Sequence, residues 1–322
     1  MLFLLKIIIT TLLCSNTLVN SENTEKIEKI KLHDLSLNHI SFSNDYKYFV
    51  TSSGDKTSKI FETKQKKLIK TIEAHSSNVN MTIYSPDNKF IVSCSNDKTV
   101  RFFDTKNYNE VKKLEFKENV SSIAFSKDNK YFSVSCDNNT ITIFDTKNYE
   151  KLNTIKEDFF YISSTIFSKN NKYLAVGSNG DKIYLFNTND FSKHCEIKHK
   201  QDYVKTLIFS NDGNYFFSAG DSGNIKMWNT ESCELNKTFE SDKNSIISLN
   251  INNNDSILIS GNDFVGKNLK IWDIKNNKII KEINQFDSDI NSIIFDKNEE
   301  NLFVATGDGF LNLLFFSSMW IK

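Results

Sequence analysis

Apolar and polar residues alternate along most of this chain in short runs, as in Thr99-Val-Arg-Phe-Phe103 and Ile141-Thr-Ile-Phe144. A period of two, in runs rich in β-branched and aromatic residues, predicts strands rather than helices. Turn-forming stretches such as Pro86-Asp-Asn88, Asn211-Asp-Gly213 and Asp308-Gly309 separate the runs and tolerate the backbone angles of tight hairpins. The single proline leaves the strands unbroken.

The runs recur as a unit. Third-strand endings fall at Phe61, Phe103, Phe144, Phe186, Trp228, Trp272 and the blurred copy at Leu314, in steps of 42, 41, 42, 42, 44 and 42 residues. The leading apolar residue of the first strand gives a second ruler at Leu37, Val79, Val120, Ile162, Val204, Ile246 and Ile290, with steps of 42, 41, 42, 42, 42 and 44. In each copy it stands six residues before a Ser, Asn or Asp. The one expanded unit holds its extra residues in the turn from Gly261 to Lys267, where an insertion costs little. Sevenfold repetition at this period fixes a repeat architecture built from one small unit of strands.

These units resemble WD40 repeats, and the resemblance covers about nine tenths of the chain. It implies an all-β, seven-bladed β-propeller of four-stranded antiparallel blades, occupying residues 22–322. A Lys/Glu-rich fourth-strand segment follows the blades, as in Lys67 to Ile72, Val111 to Phe116 and Lys278 to Ile283. Its seventh copy, Glu25 to Lys31, precedes the first blade, while the last blade stops after its third strand. The expectation is a ring closed by the N-terminal strand, which hides the edges of an open sheet.

The resemblance also implies a polar network in each blade, joining a His before the first strand, a Ser or Thr in the second, an Asp in the next turn and a Trp in the third. In register, the first blade offers His33, Thr51 and Asp55, and the second His75, Ser93 and Asp97, but their aromatic positions are Phe61 and Phe103. Trp228 and Trp272 supply the indole in blades five and six. Asn138, Gly180 and Ser222 replace the Asp, and His199 sits one residue out of register. The network is expected to be complete in no blade, leaving apolar packing by 27 Phe residues to carry more of the stability.

Composition adds little to the fold and more to function. Forty Lys plus Arg balance forty Asp plus Glu and are interspersed, so neither nucleic acid nor an acidic membrane is indicated as the partner. The apolar run from Met1 to Cys14, with Lys6 as its early charge and small residues up to Ser21, reads as a signal peptide over residues 1–21. It is short for a membrane span, so no integral span is expected in the mature chain, and export to a periplasm or secretory pathway is expected, with a cytoplasmic location as the alternative. Cys94, Cys136, Cys195 and Cys233 form no metal-binding spacing and read as buried small apolar side chains.

No phosphate loop, nucleophile elbow or zinc-protease motif is present, and the five histidines do not cluster in sequence. No catalytic residue, metal ligand or cofactor is therefore assigned. The resemblance implies docking on the rim formed by the loops before the first strands and the turns after the second. There Tyr161 and Tyr203 stand at the same place in adjacent blades, Phe159 and Phe160 precede Tyr161, Phe264 lies in the expanded turn, and Lys205 adds a cation. An aromatic cluster in loops marks an interaction patch. The first reading is a non-catalytic, exported scaffold binding a protein or peptide on Phe159, Phe160, Tyr161, Tyr203, Lys205 and Phe264. The second is an exported propeller with a small ligand or metal in its channel that assists redox or hydrolytic chemistry.

Overall fold

The computed structural model describes residues 27–199, 203–263 and 265–315, so the leader read at residues 1–21 lies outside the described residues. The described residues form 28 strands in seven four-stranded antiparallel sheets. Blade one has strands Leu37–Phe42, Tyr48–Ser53, Ser58–Glu62 and Lys67–Ile72. The next five span residues 79–115, 120–155, 162–198, 204–239 and 246–283 in the same order. Blade seven combines residues 290–315 with the N-terminal strand Ile27–Lys31, which pairs antiparallel to Phe310–Phe315 from Ile27↔Leu314 to Lys31↔Phe310.

Local chemistry repeats with the strands. The hydroxyls of Ser43, Ser85, Ser126, Ser168 and Ser210 each accept the backbone N–H five residues ahead, at 2.9–3.0 Å, and Asn252 and Asp296 do so through a side-chain oxygen. This bond braces the hairpin from first to second strand and lets one residue of the turn take a left-handed backbone. That residue is Tyr46, Asn88, Asn129, Asn171, Gly213, Asp255 or Glu299, with φ between 56 and 73°. Gly213 alone among them is glycine, and a Cβ there would lie 2.3 Å from Asn170 Nδ2.

The core lies between blades, not within them. The seven clusters of buried apolar side chains correspond to the seven interfaces around the ring; one joins Val92, Val100 and Phe102 of blade two to Val120, Phe132 and Val134 of blade three. Ile27 packs into the cluster between blades six and seven, and Ile30 into that between seven and one. Three positions apart on a strand, they face opposite sides and are gripped by both neighbours.

Two belts tie the blades. On the inside, each first strand bulges just after its leading residue. The bulged residue turns its side chain toward the next blade. Asn38, Asn80, Ser163 and Asn291 thereby donate to the leading carbonyls of Val79, Val120, Val204 and Leu37, the last bond joining blade seven to blade one. On the outside, the left-handed residue of the turn between third and fourth strands reaches back to the preceding blade. Lys66 pairs with Glu28, Tyr149 packs on Phe90 and Phe102, Phe191 packs on Tyr131, and Asn277 donates to the Thr238 carbonyl.

Cys233 occupies that outer position in blade five, and its partner is Cys195 on the fourth strand of blade four. The expectation that both are unbridged apolar side chains is thus corrected: they form a disulfide across the blade boundary, because the turn that aims Tyr149 or Phe191 backward aims Cys233 at Cys195. Cys94 and Cys136 are free and buried.

Deleting residues 27–31 is expected to lower the thermal midpoint by roughly 10 °C, through loss of the Ile27 and Ile30 contacts and exposure of the Phe310–Phe315 edge. Calorimetry against the intact chain checks it, and an unchanged midpoint would count against closure by this strand. Reducing the disulfide frees a chain separation of 38 residues. By loop entropy this removes about 4 kcal/mol. The urea midpoint should drop with reductant in the parent chain and not in a Cys195→Ser, Cys233→Ser variant.

Candidate functional site on the rim of blades four and five

The polar networks set what the rim can carry. His33 places Nδ1 2.9 Å from Asp55 Oδ2 and Nε2 2.8 Å from Thr51 Oγ1; His75 repeats this with Asp97 at 2.8 Å and Ser93 at 2.7 Å. A carboxylate only accepts, so Nδ1 carries the proton and Nε2 accepts from the hydroxyl. Burial, partly opposed by the neighbouring carboxylates, holds both imidazoles below the usual histidine range. Burial works against Asp55 and Asp97 too, but hydrogen bonds from Thr57, Thr99 and the histidines outweigh it and hold both acids below the usual carboxylate range.

Elsewhere the network is rewritten. In blade five Ser218 accepts from Trp228 Nε1 at 2.7 Å and lies 2.8 Å from His199 Nε2. In blade six Trp272 donates to Ser260 at 2.9 Å, and the buried Lys270 ammonium bonds Asp242 and Ser241. Blades three, four and seven carry Val134, Val176 and Val304 at the hydroxyl position, and Phe116, Phe159 and Phe286 at or beside the histidine position. Where the hydroxyl is lost, a phenyl ring replaces the imidazole that would otherwise be left unpaired.

Phe159 is therefore corrected from rim to core: it is 5% exposed and meets Tyr184 edge to face, with ring centroids 5.0 Å apart. Phe160, Tyr161 and Tyr203 stand at the surface with 73, 40 and 51% exposure. Their backbone is fixed. Phe160 N–H donates to Ser178 Oγ at 3.2 Å, and the carbonyls of Tyr161 and Tyr203 accept from Asn179 and Asp221 at 2.9 and 3.2 Å. Two glycines make this possible. A Cβ on Gly180, where blades one and two carry Asp55 and Asp97, would lie 2.9 Å from Phe160 Cβ, and one on Gly220 would lie 1.7 Å from Tyr203 O.

Phe160 and Tyr203 border one cleft of about 340 Å³ with Asn179, Gly180 and Asp181. Tyr161 lies outside its lining, and burial, helped by the Asp137 carboxylate, raises its hydroxyl pKa so that it stays neutral. Lys205 is not a free cation at the patch: it holds the bulge position of blade five, lines the central channel, and its Nζ lies 3.7 Å from Asp221 Oδ1. Phe264 lies outside the described residues, while Val265 in the same turn is exposed. The residues that sequence reasoning missed are Asn179 and Asp181, whose signal was their place in the turn facing Phe160.

The central channel, about 400 Å³, is lined by bulge residues such as Asn38, Asn80, Ser163 and Asn291, already committed to neighbouring blades, and by His39. Burial, only partly opposed by the bond to the Thr82 carbonyl, pushes His39 down to about 4. Among the described residues, one group brings three metal-type donors within 4.8 Å, His194, Cys195 and Cys233, and its two sulfurs are joined to each other. No helix among the described residues is long and apolar enough to cross a membrane.

Seven four-stranded blades, an N-terminal closing strand and His-hydroxyl-Asp networks define a WD40-type β-propeller. The model of the IFT122 first β-propeller family matches residues 6–264, and the chain belongs to that family. A search of curated proteins finds no match.

Stability is expected to fall as pH drops below about 6.5. The unfolded chain takes up protons on His33, His39 and His75 that the folded chain refuses until the pH nears their lowered values, about 4 for His39. A folded-state histidine pKa below the unfolded one gives stability that is present above the window and lost through it. Urea midpoints measured through this range check it, and His39→Asn should flatten the slope.

Proposed function

We propose that this propeller is a non-catalytic scaffold that docks a protein or peptide segment on the rim of blades four and five. The observation that carries the reading is the exposure of Phe160, Tyr161 and Tyr203 on backbone held by hydrogen bonds, two of them around one cleft. A backbone already held in place loses little freedom on binding, and aromatic anchors dominate interface energetics. The alternative, channel chemistry on a small ligand or metal, has less support, since the channel's polar side chains are spent on holding the ring.

Export is favoured by a separate observation. A disulfide such as Cys195–Cys233 persists in oxidising compartments, which agrees with the signal-like N-terminus.

Replacing Tyr161 and Tyr203 together by Ala is expected to abolish capture of the partner from the native compartment while leaving the melting temperature within a few degrees of the parent, because both rings lie outside the core. Loss of an interface aromatic commonly costs about 2 kcal/mol or more, roughly thirtyfold in affinity. A folded double variant that captures the same partner would move the docking surface elsewhere.

A further inference from the structure

The cleft between Phe160 and Tyr203 has an unbalanced chemistry. Its polar lining consists of Asp181 and Asn179. Among the described residues the Asp181 carboxylate has no ion pair or side-chain hydrogen bond; its backbone carbonyl accepts from His199 N–H. The adjacent cation does not neutralise it, since Lys182 is drawn to Glu196 at 3.0 Å and Asp158 at 3.8 Å. Lys205 is likewise engaged, by Asp221. Asn179, which also lines the cleft, has its Oδ1 buried with no hydrogen-bond donor among the described residues. A carboxylate without a counter-ion among the described residues, beside an amide oxygen without a donor, calls for a group that is cationic, rich in N–H and donor-only.

The walls narrow the choice. Two exposed aromatic rings flank the acceptors, and a ring face attracts a cation, most readily a planar one that also stacks. Guanidinium meets every demand: it is planar, always charged, weakly hydrated and carries several N–H donors in a fork. An ammonium meets the charge but not the stacking or the fork.

We infer that the cleft formed by Phe160, Asn179, Gly180, Asp181 and Tyr203 is a receptor for an arginine side chain presented by an extended segment of a protein partner. The inference deepens the rim-docking function and rests on it. Asp181 supplies the charge, Asn179 a second acceptor, and Phe160 and Tyr203 the stacking faces. The carboxylate sits on left-handed backbone, φ 62°, at the turn position that Asn139 fills in blade three at φ 59°. Asp181→Asn therefore keeps the backbone and removes only the charge.

The test is a titration of the full chain with the acetylated, amidated peptide Gly-Ser-Arg-Ser-Gly, followed by saturation-transfer NMR, beside the same peptide with citrulline or lysine in place of arginine. The expected result is saturable binding of the arginine peptide, at least about tenfold weaker for citrulline, weaker for lysine, and reduced about tenfold by Asp181→Asn or Phe160→Ala. Absence of saturable binding, equal binding of the citrulline peptide, or an Asp181→Asn chain that binds as the parent does would overturn it. Partner capture separates this failure from failure of the docking reading. If Asp181→Asn still captures a partner that the Tyr161, Tyr203 double variant loses, the rim docks a protein but not through arginine. If neither variant loses it, the rim is not the docking surface.

Discussion

Face-to-face burial of each small sheet against the next is the interaction on which the rest of this structure depends. A four-stranded sheet of this size has two apolar faces and no helix to cover either, so a single blade would leave its Val, Ile and Phe side chains in water. The seven buried clusters lie at the boundaries between blades, which makes every blade's stability conditional on both neighbours and on closure of the ring. Register matters for the same reason: a slip of one residue would turn an apolar face outward. The hairpin braces at Ser43, Ser85, Ser126, Ser168 and Ser210 pin that register once per blade.

Once packing carries the ring, the polar network inside each blade becomes replaceable, provided that it is replaced as a set. A lone Val at the Ser93 position would leave His75 Nε2 without a donor, so the blades that carry Val there also carry Phe in place of the imidazole. In blade four Phe159 fills the interior, and the turn position that is Asp in blades one and two is Gly180. Its missing side chain is the space against which Phe160 rests, one residue from Asp181.

What the sequence made legible was whatever repeats. The rulers from Leu37 to Ile290 and from Phe61 to Leu314 give blade number, strand order and the closing role of Ile27 to Lys31, because each error in register would be exposed by the other six copies. His33, Thr51, Asp55 and their counterparts in blade two were legible for the same reason, and the structure joins them. What occurs once was not legible. Whether Phe159 or Phe160 turns inward depends on the space beside Tyr184, which no periodicity reports. Lys205 sits in the period as a rim neighbour, but the bulge directs it to the channel. The pairing of Cys195 with Cys233 needs the backward reach of the outer turn, a property of three dimensions that spacing alone hides.

The walls of the cleft come from the loops of two blades: Phe160, Asn179, Gly180 and Asp181 belong to blade four, and Tyr203 leads into blade five. Its width therefore depends on how the two blades lie against each other as well as on those loops. Between them runs the cluster of Leu185, Val204, Leu207 and Trp228, the Ser163 bond to the Val204 carbonyl on the inner belt, and the disulfide on the outer one. A boundary held at its inner edge, its middle and its outer edge has little freedom to open or shear. The candidate binding groups of the two blades are thereby kept at a set spacing, which would lower the ordering cost of the association proposed. The cross-link that sequence reading missed thus bears on the candidate site.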